Sequence, residues 1–167
     1  MKESIRSAIS KGMSVKLNLM LGFPHETHKE MFQTLNFVKD AAIMGVTDVY
    51  IATFSPYPGS ELFEQMYENG QIAEINDEYF LNLTSYSDLI RSYSYSKHVG
   101  HKMLTFYRLG GMSMFYIINF IFHPKRIFRL FANIISKREE SKLDKALIEM
   151  IDRVKRSKKK RPSSYTP

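Results

Sequence analysis

Along the first seventy residues the spacing of apolar side chains changes period several times, and each change marks an element. Residues 2–11 put Ile5, Ala8 and Ile9 on one helical face, and Gly12 stands where such a helix stops. Residues 14–21 alternate instead, with Val15, Leu17, Leu19 and Leu21 on one side and Lys16, Asn18 and Met20 on the other, which predicts a strand. Thr27 and Glu30 form a capping box ahead of a helix reaching about Met44, with Met31, Leu35, Val38 and Ala42 as its apolar face and Gly45 at its end. Residues 46–54, rich in β-branched and aromatic types, predict a second strand. The unit is β-α-β, and its connection is long enough for a right-handed parallel crossover. Pro58-Gly59 opens a short helix running to about Asn69 and closed by Gly70.

Residues 71–96 follow neither period. Tyr86, Tyr93 and Tyr95 sit among serines, and the stretch reads as a connector. From Lys97 a helical pattern resumes, with a break or kink expected at Gly110-Gly111 and an apolar run over 112–122. After His123-Pro124 two helices are expected over 125–136 and 140–156, then a disordered basic tail over 157–167. Four regions result: 1–70, the β-α-β unit and its flanking helices; 71–96, the connector; 97–156, a helical extension; and 157–167, the tail.

Composition changes this picture in two places. The 167 residues include no cysteine, so no disulfide and no cysteine-ligated metal can form within the chain. The net charge of +7 is uneven: residues 1–120 hold 10 Lys/Arg against 12 Asp/Glu, whereas residues 121–167 hold 14 against 5. An argument from charge about partners therefore belongs to the C-terminal region. The start of the chain has no apolar run like a signal peptide, and the lack of cysteine suits the cytosol, so the expected location is cytoplasmic.

Two parallel strands leave open edges, and parallel sheets are found almost only with several strands covered on both faces. The expected fold class is therefore α/β, the C-terminal part of a larger barrel or open sheet followed by an all-helical extension. The rival is a small α+β domain with further strands in residues 71–95.

The two strand ends carry the most informative residues. Met20-Leu21-Gly22-Phe23-Pro24-His25-Glu26-Thr27 and Phe54-Ser55-Pro56-Tyr57-Pro58-Gly59-Ser60-Glu61-Leu62 each stand where a strand passes to a helix, the face at which parallel α/β proteins bind ligands. In this order and spacing the motifs resemble the C-terminal half of the radical S-adenosylmethionine (SAM) barrel. They look most like the cobalamin-binding branch that includes anaerobic magnesium-protoporphyrin ester cyclases and cobalamin-dependent methylases. Phe106-Tyr107-Arg108 and Phe122-His123-Pro124-Lys125-Arg126 resemble, more weakly, the helical extension that follows such barrels.

The resemblance implies that Leu21, Gly22, Phe23 and Pro24 end the fifth barrel strand and that Phe54, Ser55 and Pro56 end the sixth. Together they would face the adenine of S-adenosylmethionine. Such a flat, weakly polar ring is bound by apolar walls and backbone groups more than by charges. It also implies a 4Fe–4S cluster, and cobalamin in that branch, for the complete enzyme, with methylase or cyclase chemistry. The departures are as informative. The Cys-x-x-x-Cys-x-x-Cys that holds the cluster is absent. The acidic motif after the second strand is missing, and His25 stands where the family has a second glycine. The expected role is thus the adenine side of a cofactor site and part of a substrate cavity. The chain would be inactive alone, with a missing N-terminal barrel half, in the same gene or a separate chain, as its partner. The alternative is a non-catalytic binding or membrane-associated module derived from that fold.

Other residues admit two readings each. His25, Glu26 and His28 are metal-ligand types, but their spacing is not His-Glu-x-x-His, which favours a polar loop capping a helix. His98 and His101, one turn apart, read more simply as a solvated or packed face. Lys16 and Asn18 point either into a barrel lumen or to solvent. The run 113–122 is too short to span a bilayer, which needs about 20 apolar residues. The mixture of Lys125, Arg126 and Arg129 with Ile127, Phe128, Leu130, Phe131, Ile134 and Ile135 suits either a helix at an anionic membrane surface, peripheral at the inner face, or one packed on the barrel wall. No nucleic-acid motif accompanies the basic tail, and nucleic acid is not an expected partner.

Overall fold

The structure, a computed structural model, describes residues 1–83 and 92–159. The chain is mixed α/β and mostly helical. Its elements are α1 (Lys2–Ser10), β1 (Lys16–Leu21), α2 (His28–Met44), β2 (Asp48–Thr53), α3 (Glu61–Glu68), α4 (Asp77–Leu83), α5 (His101–Phe122), α6 (Lys125–Ser136) and α7 (Lys142–Lys159). Among the described residues the sheet consists of β1 and β2, parallel, with Lys16 opposite Asp48 and Leu21 opposite Thr53. The strands expected over 14–21 and 46–54 are thus present and slightly shorter. The further strands of the α+β rival do not occur among the described residues of the 71–95 stretch, which instead contains α4.

The alternation in β1 is realised as read. Leu17, Leu19 and Leu21 face inward with Val49, Ile51 and Thr53, and helices α2 and α5 cover this side. Lys16, Asn18 and Met20 are exposed on the other side, opposite Asp48, Tyr50 and Ala52. The core joins Leu21, Met31, Val38, Ala41, Ala42, Val49 and Ile51 to Leu104, Tyr107 and Phe115 of α5. Burying such side chains contributes about 1.5–3 kcal/mol each before conformational entropy is counted.

α2 starts and stops on the signals seen in the sequence. Glu30 Oε2 accepts the Thr27 N–H at 2.7 Å, forming the capping box. At the other end Gly45 takes φ 95°, a left-handed conformation that glycine adopts without steric cost, and the Val46 N–H reaches back to the Ala41 carbonyl at 3.1 Å.

Three expectations need correction. α5 begins at His101 rather than Lys97 and runs unbroken through Gly110-Gly111 to Phe122. Gly111 does not end the helix; it lets α5 approach the sheet. A Cβ placed there would lie 2.6 Å from Leu35 Cδ2 and 2.9 Å from Ile51 Cδ1, whereas one on Gly110 would meet nothing within 4 Å. The two neighbours should therefore respond with opposite signs. Gly111→Val is expected to destabilise by about 1–3 kcal/mol through overpacking, and Gly110→Ala to stabilise by roughly 0.5–1 kcal/mol through helix propensity. Urea unfolding midpoints read both. The final helix extends to Lys159 rather than 156, because lysine and arginine are good helix formers and no stop signal precedes Pro162. The rest of the expected disordered tail, and Tyr86 of the connector, lie outside the described residues.

Candidate functional site

The carboxyl ends of β1 and β2 lie side by side, and the Phe54 N–H donates to the Leu21 carbonyl at 2.7 Å. The two sequence motifs are thereby brought together as adjacent lips, and the rings of Phe23 and Phe54 pack with centroids 4.9 Å apart. Beside them a cleft of about 540 Å³ is lined by Met20, Ala52, Thr53, Phe54, Ser55, Tyr57, Ser60, Glu61 and Leu62. Its walls are largely apolar. The Ser55 hydroxyl donates to the Leu83 carbonyl at 3.3 Å, and the Ser60 hydroxyl to the Tyr57 carbonyl at 2.8 Å, so both are engaged within the protein. The Thr53 hydroxyl is buried and has no hydrogen-bond partner among the described residues.

Of the seven candidate residues, Phe54 and Ser55 line this cleft. Phe23, partly exposed, packs against Phe54 from the first lip, the two rings tilted by 33°. Leu21 sits on the helix-covered side of β1, fully buried in the core, so it serves packing and not the wall of the cleft. Gly22 is buried under Leu104, with φ 92°, and a Cβ there would come within 2.9 Å of a Leu104 methyl. Its glycine is required by helix packing as well as by the turn. Pro24 and Pro56 are buried, and their carbonyls accept the Lys97 N–H at 3.2 Å and the Tyr79 hydroxyl respectively.

Glu26 organises the first lip. Its Oε2 accepts the N–H groups of Gly22 at 2.6 Å and Phe23 at 3.2 Å. Burial pushes its carboxyl above the usual carboxylate range, against those two backbone donors, which pull the other way. Ser96 donates to the Glu26 carbonyl at 2.8 Å, so the segment before α5 straps the same loop. His28 Nδ1 and the Tyr107 hydroxyl lie 2.8 Å apart, and His101 Nδ1 accepts the Ser94 N–H at 2.8 Å. These contacts place Glu26, His28 and His101 in structural roles. Among the described residues no group of three or more His, Cys, Asp or Glu side chains is arranged to hold a metal ion.

Sequence reasoning missed Met20, Ala52 and Tyr57 as cleft residues. A signal for the first was present: Met20 falls on the side of β1 opposite the leucines. Its partner Ala52 required the register, which sets the two directly opposite each other. Comparison of the chain with family models, with curated proteins and with solved structures finds no match.

Proposed function

We propose that the chain forms the adenine-facing part of a nucleoside cofactor site, in a radical SAM enzyme whose remaining barrel strands come from elsewhere. One observation carries this reading. Met20 and Ala52, register partners on the open side of the sheet, share a cleft with Phe54, Ser55 and Tyr57 at the carboxyl ends of two parallel strands. Ligands of open parallel sheets bind at that end, and a cleft of apolar walls suits the face of a purine. Each strand also keeps one edge without a strand neighbour among the described residues, which suits a sheet completed by further strands. The cluster is a different matter. With no cysteine the chain offers none of the thiolates that hold a 4Fe–4S centre, and no step through the cluster or through cobalamin is assigned to its residues.

The test is a titration of adenosine and of S-adenosylmethionine into the chain, following the methyl resonances of Met20 and Ala52. Both should shift with either ligand, and Ala52→Phe, which fills the cleft, should abolish the response. Methyl signals that stay unmoved while ligand binds elsewhere would remove the site. The enzyme reading has a separate check. It expects a Cys-x-x-x-Cys-x-x-Cys segment in upstream coding sequence or in a neighbouring chain, and its absence from both would leave nucleoside binding without radical chemistry.

A further inference from the structure

α6 is packed with its polar side toward the fold. Asn133 is buried and donates to Asp144 and Glu140, and Arg126 is tied to the Gly45 and Val46 carbonyls. The apolar arc points the other way, leaving Phe128, Phe131 and Ile135 exposed at 76, 59 and 84%. α5 continues the exposure on its own outer side through Phe106, Ile117 and Ile121. An amphipathic helix in a finished core would be turned around, and this many large apolar side chains exposed on two successive helices mark a surface that is covered in use.

Charge identifies what covers it. From residue 89 to residue 138 the sequence has nine Lys/Arg and no Asp or Glu. Arg108 and Arg126 are engaged inside the fold, Arg129 pairs with Glu140 at 2.7 Å and Lys137 with Asp152 at 3.1 Å, and Lys102, Lys125 and Arg138 are exposed. No helix of the described residues is long and apolar enough to cross a membrane. Apolar side chains facing outward, on two helices that carry cations and no carboxylate of their own, match the outer layer of an anionic bilayer, where rings and branched chains enter the acyl boundary and lysines meet headgroups. We infer that the exposed faces of α5 and α6 form a docking surface for an anionic lipid membrane, on which the chain lies without spanning it.

Flotation of the full chain tests this, using vesicles of phosphatidylcholine alone and vesicles of phosphatidylcholine and phosphatidylglycerol in equal parts. The chain should float with the anionic vesicles, less so at high salt, and remain behind with the neutral ones. Phe128→Ser with Ile135→Ser, at two solvent-exposed positions, should keep the circular dichroism spectrum and weaken binding at least roughly tenfold. Lys125→Glu should weaken it at low salt and make little difference at high salt. Failure to float with anionic vesicles, or equal flotation of the serine variant, would overturn the inference. So would a dimer in light scattering that the serine variant converts to monomer while vesicles go unbound; that result would assign the surface to a second copy.

Discussion

Replacing Arg108 with alanine is expected to destabilise the chain by about 3–5 kcal/mol, the cost of truncating a large core side chain together with leaving a buried acceptor unpaired. Arg108 is fully buried on α5. Its Nε donates to the Ile51 carbonyl of β2 at 2.7 Å, its Nη2 lies 3.3 Å from the Tyr50 hydroxyl, and the guanidinium carbon stands 5.8 Å from the centroid of the Tyr50 ring. One side chain thus joins the long helix to strand backbone and to a side chain on the open face of the sheet. Alanine removes the bond and the packing and leaves a void between α5 and β2. Arg108→Lys should recover only part of the loss, because an ammonium cannot both donate in the guanidinium's plane and stack on a ring. Urea unfolding checks both variants; a midpoint change at constant slope would mark a stability effect. A cost below about 1 kcal/mol for alanine would mean that the carbonyl finds another donor.

Asn119→Ala is expected to cost about 2–4 kcal/mol, the sum of two buried hydrogen bonds to carbonyls around the end of α2 and one charge-assisted bond, all lost together. The end of α2 explains the size. The carbonyls of its last turn and of the two residues that follow it accept from three side chains of α5 and α6 and the turn between them. Asn119 Nδ2 donates to Ala42 and Val46 at 3.3 and 2.9 Å, Arg126 donates to Gly45 and Val46 at 2.6 Å each, and His123 Nε2 lies 3.2 Å from the Ile43 carbonyl. Asn119 Oδ1 accepts from Arg126 at 2.7 Å, so the two act as one unit. A cation at a helix C-terminus also meets the negative end of its dipole. Burial and the neighbouring Arg129 lower the pKa of Arg126, the signature of a guanidinium held partly out of water. A double-mutant cycle of Asn119→Ala with Arg126→Ala should show strong coupling, with the double variant costing clearly less than the sum. Additive effects would break the unit into independent contacts.

These two sites show where sequence reading stopped. Phe106-Tyr107-Arg108 and Phe122-His123-Pro124-Lys125-Arg126 stood out as a loosely matched extension, but nothing in their spacing says which backbone they reach. Their partners lie 57 to 81 residues away, and only the folded chain brings them together. Gly111 shows the same limit. In sequence a glycine pair inside a helical pattern reads as an interruption, because the local cost of glycine is visible and the helix-to-sheet distance is not. The candidate site was legible in part for a related reason. The junctions of strand and helix mark where a parallel sheet presents ligands, so the lips were found. Which side chains turn into the cleft depends on register and on helix cover, and these sent Leu21 into the core and brought in Ala52.

Local period and termination signals by themselves determined the β-α-β unit, its capping box and Gly45 stop, the two-sided alternation of β1 and the basic C-terminal region, since each is set by residues within a few positions of one another. Tertiary structure alone decided the unbroken course of α5, the burial of Arg108, the clasp on the end of α2 and the outward turn of α6's apolar arc. Those depend on contacts between segments far apart in the chain, whose geometry no local pattern contains.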